Sequence, residues 1–424
     1  MLISIFTPTN NTSWLLEAWQ SLQNQSQEFE WLIGLNNGAD ASIIPNDPRI
    51  RQITLGEWKG VGDAKLRLCR EAKGEVVLEL DHDDILADGA LAKVAEAFAD
   101  PEVGFVYSDT AEWLDATGES FTYSESYGWK SYPCEIQGRS LQATASKPAT
   151  ARNMCQILNA PNHLRAWRKS VYDAIGGHDA SLQVADDFDL MCRTYLVTKF
   201  YHIKEALYGY RRRADGANTW ILHNKEIQRL CGQGADLTIP AEGQAMPLRD
   251  KYLHKLVERE CQLNNLKMVD IGGGIFGAPG WTTLDVSGTP DVQWDVFGTK
   301  KLPFEDNSIG AFRAFDFLEH GENLDAFWLM DEIYRCLVPG GWFLSYTPHA
   351  QGIGSTCDPS HRSQWDERRF LYWCSDQLRP FLLSACPEAK AKFQAVRLYK
   401  ETRIMGPSPW RFEVPYLTAD LMKV

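Results

Sequence analysis

The sequence predicts an α/β protein built from two Rossmann-like domains, and three observations carry that reading. Short β-rich runs alternate with helical spacings from residue 2 to about residue 235. The clear Gly/Pro punctuation of the chain's middle, Gly232 to Asp236 and Pro240 to Gly243, ends that alternation. A new strand, Leu266-Lys-Met-Val-Asp270-Ile271, then opens a second α/β unit. The expected division is a domain over residues 1–238, a linker helix within 239–265 and a second domain over 266–424. A chain of 424 residues gives each domain enough length to bury its own core.

The formal net charge of -13 argues against a broad nucleic-acid or anionic-membrane surface, because phosphate binding relies on Lys and Arg. No apolar run approaches the length of a membrane span. Met1-Leu-Ile-Ser-Ile-Phe6 lacks the basic start and long apolar core of a signal peptide. The 10 cysteines are scattered with no Cys-x-x-Cys pair, which reads as reduced thiols in a cytoplasmic protein.

In chain order, Leu2 to Pro8 is a β-rich run ended by proline. Thr9 to Ser13 offers N-cap residues for a helix carrying Trp14, Leu15, Leu16, Ala18, Trp19 and Leu22. Glu30 to Leu35 is a second strand, stopped by Asn36-Asn37-Gly38, and Ile50 to Leu55 a third. Val61 to Ala72 has helical spacing. Glu75 to Leu80 then delivers the acidic stretch Glu79-Leu80-Asp81-His82-Asp83-Asp84. In an extended backbone Asp81 and Asp83 share one side and His82 takes the other. Two carboxylates converging at a strand end repel unless a cation lies between them. Mn²⁺ or Mg²⁺ suits such oxygen ligands and commonly holds a substrate diphosphate as well. Taken alone, an Asp-x-Asp is more often a solvated acidic turn. Ligands of doubly wound sheets bind at the carboxyl ends of strands, where Pro8-Thr9-Asn10, Asn36-Asn37 and Asp81-Asp83 all fall.

This pattern resembles the family 2 glycosyltransferases, which have the GT-A fold. Pro8-Thr9-Asn10-Asn11 matches their opening Pro-Thr-Tyr-Asn, Ser21-Leu22-Gln23-Asn24-Gln25 their Ser-Leu-x-x-Gln, and Asp81-His82-Asp83-Asp84 their metal motif. The resemblance implies a nucleotide-sugar donor held by Pro8, Thr9, Asn10, Asn36, Asn37 and Asp81, with Asp81 and Asp83 on the metal. Where the family usually has Asp-Asp-Gly-Ser, Asn36-Asn37-Gly38-Ala39 stands, so the nucleotide base is left open. Val103 to Asp109 reads as a further strand, and Gly118 to Arg152 as an irregular loop shaping the acceptor site. After Gly176-Gly177, the family's Glu-Asp-x-Asp-Leu appears as Asp186-Asp187-Phe188-Asp189-Leu190. That implies Asp187 as the base of an inverting transfer, with Asp186 beside it. The same two residues also suit the acidic first turn of a helix. Tyr208-Gly-Tyr-Arg-Arg-Arg213 matches the family's closing segment, as a diphosphate clamp or equally a surface basic run. His223 is a candidate late metal ligand, although a lone His is more often structural. Trp129, Trp167 and Trp220 are candidates for stacking on sugars, against the commoner use in cores.

In the second half, Asp270-Ile-Gly272-Gly273-Gly274 follows a strand and permits close backbone approach. Asp285 ends the next strand, suited to a ribose hydroxyl pair. Leu302-Pro303-Phe304, Phe317-Leu318-Glu319-His320 and Leu337-Val-Pro339-Gly340-Gly341 follow in order. The set resembles class I S-adenosylmethionine-dependent methyltransferases. It implies S-adenosylmethionine at Asp270, Gly272, Gly274 and Asp285, with Asp295 near the adenine. The short Gly274–Asp285 segment leaves little room for a first helix, which argues against a nicotinamide dinucleotide fold. His361 is a candidate base for a methyl acceptor, with a structural loop histidine as the equal alternative.

The expected function is sugar transfer from a nucleotide-sugar donor to a glycan or other hydroxyl acceptor, with methylation by the second domain. The alternatives are a transferase whose second domain is a non-catalytic scaffold, and a non-catalytic carbohydrate-binding or assembly protein.

Overall fold

The computed structural model describes residues 1–156, 161–216, 218–232, 247–405 and 412–424. The chain divides into two compact units. The first comprises the described residues up to Gly232 with Pro247–Tyr252, and the second the described residues from Leu253 onward. A helix, Leu248–Leu263, stands where the linker helix is expected, and the Gly/Pro punctuation from 233 to 246 lies outside the described residues. Among the described residues no helix is long and apolar enough to cross a membrane.

The first unit is one mixed sheet. Its parallel half runs β3 (Ile50–Gly56), β2 (Phe29–Asn36), β1 (Ile3–Thr9), β4 (Val76–Glu79). Every residue of β4 is buried, as an apolar run crossing a doubly covered sheet requires. In register, Thr9 of β1 lies opposite Leu35 of β2, so those two strands end nearly together, whereas β4 ends at Glu79 opposite Phe6, three residues short of the end of β1. A short bond chain fixes that edge. Trp31 Nε1 donates to Thr7 Oγ1 (2.9 Å), and Thr7 Oγ1 donates to the Leu80 carbonyl (2.7 Å). Stacking of Trp19 on Trp31, 6.0 Å between centroids and 5° from parallel, seats the helix Leu15–Gln23 on the sheet. That helix carries no side-chain N-cap bond. Asn11 Oδ1 instead accepts the Ser13 amide in a local turn.

Beyond β4 the sheet continues with β10 (Arg165–Arg168), β6 (Val103–Leu114), β11 (Lys199–Arg212) and the two-residue β5 (Ile85–Leu86). Strand β10 is antiparallel to both β4 and β6 and sets Arg165 opposite Glu79. The segment expected to be irregular carries β7 (Ser120–Phe121) and a hairpin of β8 (Ser131–Ile136) and β9 (Arg139–Thr144) against β6. Its turn is Gln137-Gly138, both left-handed at φ +49° and +72°, a pairing that matches the twist of a two-residue hairpin.

The second unit is a sheet in the order β14 (Val292–Gln293), β13 (Thr282–Asp285), β12 (Lys267–Ile271), β15 (Ile309–Phe315), β16 (Leu337–Pro348), β18 (Phe412–Lys423), β17 (Phe393–Met405). The first five strands are parallel, and an antiparallel hairpin closes one edge. Between β12 and β13 only a three-residue 3₁₀ turn, Gly274–Phe276, replaces a full helix. The 10 cysteines are free thiols.

Candidate active site

The site of the first unit forms where β1, β2 and β4 end and where the helix Asp186–Tyr195 begins. Strand β4 stops at Glu79, and the Asp84 amide bonds the Asp81 carbonyl at 3.2 Å, so Asp81 to Asp84 is a turn. The extended alternation expected for Asp81 and Asp83 therefore does not hold. Glu79, still on the strand, partners Asp81 instead. One ligand atom each from Glu79, Asp81 and His163 lies within 4.8 Å of the others. Glu79 is fully buried, and its Oε2 has no hydrogen-bond partner among the described residues.

Each acid of the turn has a distinct neighbourhood. Asp84 accepts the Tyr208 hydroxyl (2.8 Å) and the Arg211 amide (2.8 Å), and burial pushes its carboxyl well above the usual range. Burial, with the charges of Glu79 and Asp83, raises Asp81 to about 7 against the pull of Lys65. Asp83 is buried, and its carbonyl accepts Arg211 Nε at 2.8 Å. Burial and Arg165 press His163 down to about 3, so its ring is neutral and keeps a lone pair.

Lys65 lies at the centre. It is buried on the helix Val61–Glu71, bonds Glu79, and stands 3.7 Å from Asp186 Oδ2. That helix sits hard against the turn before Asp186: a Cβ on Gly62 would come within 2.1 Å of the Asp179 carbonyl oxygen. Burial disfavours the charge of Lys65, but Asp186, Glu79 and Asp81 outweigh it and raise its pKa. Glu79 is drawn the other way: burial raises it, Lys65 outweighs burial, and the carboxylate stays ionised.

The two acids of the helix start diverge. Asp186 is buried between Lys65 and His178 Nε2 (3.6 Å), and burial lifts it to about 6. Asp187 has a side chain 30% exposed and receives Arg165 Nη1 at 2.6 Å. Burial would raise Asp187, but Arg165 prevails and holds it below the usual carboxylate range. Arg165 is itself buried and anchored on the Pro161 carbonyl.

Of the expected donor residues, Thr9 is buried and bonds locally to Asn11, Pro8 is partly buried, and Asn10 is exposed. Asn36 is buried at the end of β2, while Asn37, at φ +52°, caps the Trp58 amide with its Oδ1 (2.9 Å). Arg211 is consumed by Glu17, Asp115 and the acidic turn, and Arg212 by Glu112. Arg213 lies over Trp14, 4.7 Å from its centroid. His223 is exposed at a helix junction, outside both His/carboxylate groups found among the described residues. Trp167 is core, its Nε1 donating to Thr194. Trp129 packs on Tyr123, and Trp220 lies under Arg212. Lys65, Glu79, His163, Arg165 and His178 carry no assigned role in the sequence reading. An acid inside the apolar run of β4 was the available signal.

In the second unit, Gly272 (φ +76°) and Gly274 (φ +46°) take left-handed conformations in the turn after β12. Asp270 is buried, receives Arg313 Nε and Nη2 (3.0 and 2.6 Å) and accepts the Ala278 amide. Asp285 uses Oδ1 for the Ser287 amide, while its Oδ2 would stand 3.4 Å from a Cβ on Gly274. Asp295 caps a short helix through the Gly298 amide (2.8 Å). His361 lies 3.9 Å from Glu319.

Residues 4–175 match the family described as glycosyl transferase family 2, and residues 283–345 match a methyltransferase domain. The first match ends before Asp186. A chondroitin synthase of Escherichia coli is 26% identical over 229 residues, covering 52% of this chain and 30% of that protein. An N-acetylglucosaminyltransferase of Bradyrhizobium elkanii is 36% identical over 62 residues, 15% of this chain and 34% of that one. The chain thus spans about a third of these curated relatives' lengths. A crystal structure of S. aureus TarS 1–349 is similar at 18% identity and a TM-score of 0.39, covering 62% of this chain and 73% of that one. The chain thus joins a family 2 glycosyltransferase segment, matched over residues 4–175, to a methyltransferase-like domain matched over residues 283–345.

Proposed function

We propose that the first unit transfers a sugar from a nucleotide-sugar donor to a hydroxyl of a glycan or other acceptor, with Mn²⁺ or Mg²⁺ bound. The observation that carries this is the convergence of Glu79, Asp81, Asp186 and Asp187 around Lys65 and Arg165 at the carboxyl edge of the sheet. The names of two relatives, a chondroitin synthase and an N-acetylglucosaminyltransferase, support sugar transfer as the reaction class. The partnerless Glu79 Oε2 and the neutral ring of His163 beside Asp81 fit a cation, and the family motif adds Asp83, which lies outside that group of three. Held by these residues, a cation would supply positive charge to neutralise the departing diphosphate. Thr9, Asn10, Asn36 and Asn37 border the place for the nucleotide. Asp187, partly exposed and ionised, takes the acceptor's proton, and Arg165 holds its carboxylate in place. Asp186 and Lys65 form the floor. Inversion at the sugar carbon follows from the family resemblance.

Methyl transfer from S-adenosylmethionine by the second unit is the companion reading, supported by the two left-handed glycines after β12 and by the domain match. The commitment of Asp270 to Arg313 and of Asp295 to its cap favours a scaffold instead. A thermal-shift panel of nucleoside diphosphates with Mn²⁺ tests the first reading. One base should raise the melting temperature in a metal-dependent way, and no shift with any of them contradicts it. Calorimetry with S-adenosylmethionine tests the second, for which saturable micromolar binding is expected.

A further inference from the structure

We infer that Glu319, His320 and His361 form a binding site for a divalent d-block cation of the zinc class in the second unit. Glu319 and His320 belong to a 3₁₀ turn, Leu318–His320, just past the carboxyl end of β15. His361 comes from the loop that follows β16, the parallel neighbour of β15. One ligand atom of each residue lies within 4.8 Å of the other two.

Three features separate this group from a chance cluster. Glu319 is only 1% exposed, and Thr347 Oγ1 donates to its Oε2 at 2.7 Å, which fixes the carboxylate and presents Oε1. That Oε1 has no hydrogen-bond partner among the described residues, a costly state for a buried carboxylate oxygen. His361 Nε2 faces it at 3.9 Å, too far for a hydrogen bond. A cation at roughly 2.0–2.2 Å from each ligand holds its donor atoms roughly 3–4 Å apart, so the gap has the dimension of a shared ion. The two imidazole rings stand edge to face, 78° apart with centroids at 5.0 Å. Ser360 Oγ lies 3.2 Å from His320 Nδ1, a contact that orients the ring. Asp358 Oδ2, 4.0 Å from His361 Nε2, adds negative charge at the rim.

Two imidazoles and one carboxylate form a donor set that borderline d-block cations accept, with at least one position left for water or a ligand oxygen. The inference concerns the cation alone and stands whether or not the second unit transfers methyl groups. It gives His361 a ligand's place, against the expectation of a free base.

The test uses the full chain, stripped of metal by chelation, in an Asp81→Asn/Asp83→Asn background so that the first unit's carboxylates do not compete. Zn²⁺ calorimetry should show one equivalent, and Co²⁺ should give visible absorption of an imidazole-ligated ion. Glu319→Gln and His361→Gln should each weaken binding by at least about 100-fold, since loss of a direct ligand exceeds the 10–100-fold typical of outer partners. Because Glu319 is buried, His320→Gln provides a variant on a half-buried residue with the same expected loss. Absence of saturable Zn²⁺ binding overturns the inference. So does binding that survives all three substitutions in folded protein.

Discussion

The two units place comparable chemistry at the carboxyl ends of comparable parallel strands, yet they treat their acids in opposite ways. In the first, Glu79, Asp81, Asp186 and Asp187 outnumber the buried cations Lys65 and Arg165, and Glu79 keeps an oxygen without a partner. In the second, Asp270 is matched one to one by Arg313 and an amide. An excess of buried negative charge is unstable without a bound counter-charge, so it points outward to a cation or ligand. A matched pair is complete by itself. The contrast explains why the first unit reads as poised for chemistry at its central acids, and why the second has its unmatched groups elsewhere, at Glu319 and His361.

Replacing Asp187 should break the comparison most severely. Asp187→Ala is expected to lower sugar transfer about 10³-fold, as loss of a general base does, and also to lower the melting temperature because buried Arg165 loses its carboxylate partner; steady-state rates measured well below that melting temperature check it. Next comes Lys65→Met, which leaves Glu79 and Asp186 unneutralised and should destabilise the first unit by at least about 3 kcal/mol in chemical denaturation.

The pH profile of transfer sharpens the roles of the two neighbouring acids. The folded pKa of Asp187 lies below its unfolded value, so its stabilising contribution is present above about pH 4 and lost as pH falls further. Asp186 is raised to about 6, so it costs stability as pH rises from about 4 toward 6. With Asp187 as base, the rate stays level down to about pH 4; with Asp186 as base it falls about tenfold per unit below about 6.

The smallest effect belongs to the second unit. Asp285→Asn should weaken S-adenosylmethionine binding at least about tenfold, the loss of one charged hydrogen-bond partner. Asp270→Asn should change it less than about twofold while lowering the melting temperature, because its carboxylate already serves Arg313. Calorimetry beside thermal denaturation separates the two.

The strands that carry the first site were legible because each is an apolar run that must be buried: Leu2 to Pro8, Glu30 to Leu35 and Glu75 to Leu80 became β1, β2 and β4. Their common direction, with all three carboxyl ends on one edge, followed from parallel pairing. Arg165 was not legible, since only the antiparallel insertion of β10 beside β4 brings it to Glu79. Lys65 was hidden by its helix, where a long polar side chain reads as solvent-facing until the opposing carboxylates are placed. The Gln137-Gly138 hairpin was missed because Gln is an unusual first residue for a left-handed turn. The Asp81–Asp84 turn was misread because strand periodicity was carried past Glu79, where the strand ends, as far as Asp83.

The central claim is that Asp81 and Asp187 act together in one metal-dependent transfer. The most direct test measures nucleotide release from a panel of nucleotide sugars, with Mn²⁺ or with chelator, in the unaltered chain and in Asp81→Asn and Asp187→Ala. Release with at least one donor, abolished by chelator and reduced at least about 100-fold in both variants, is the predicted result. Release that persists unchanged in both variants would contradict the account.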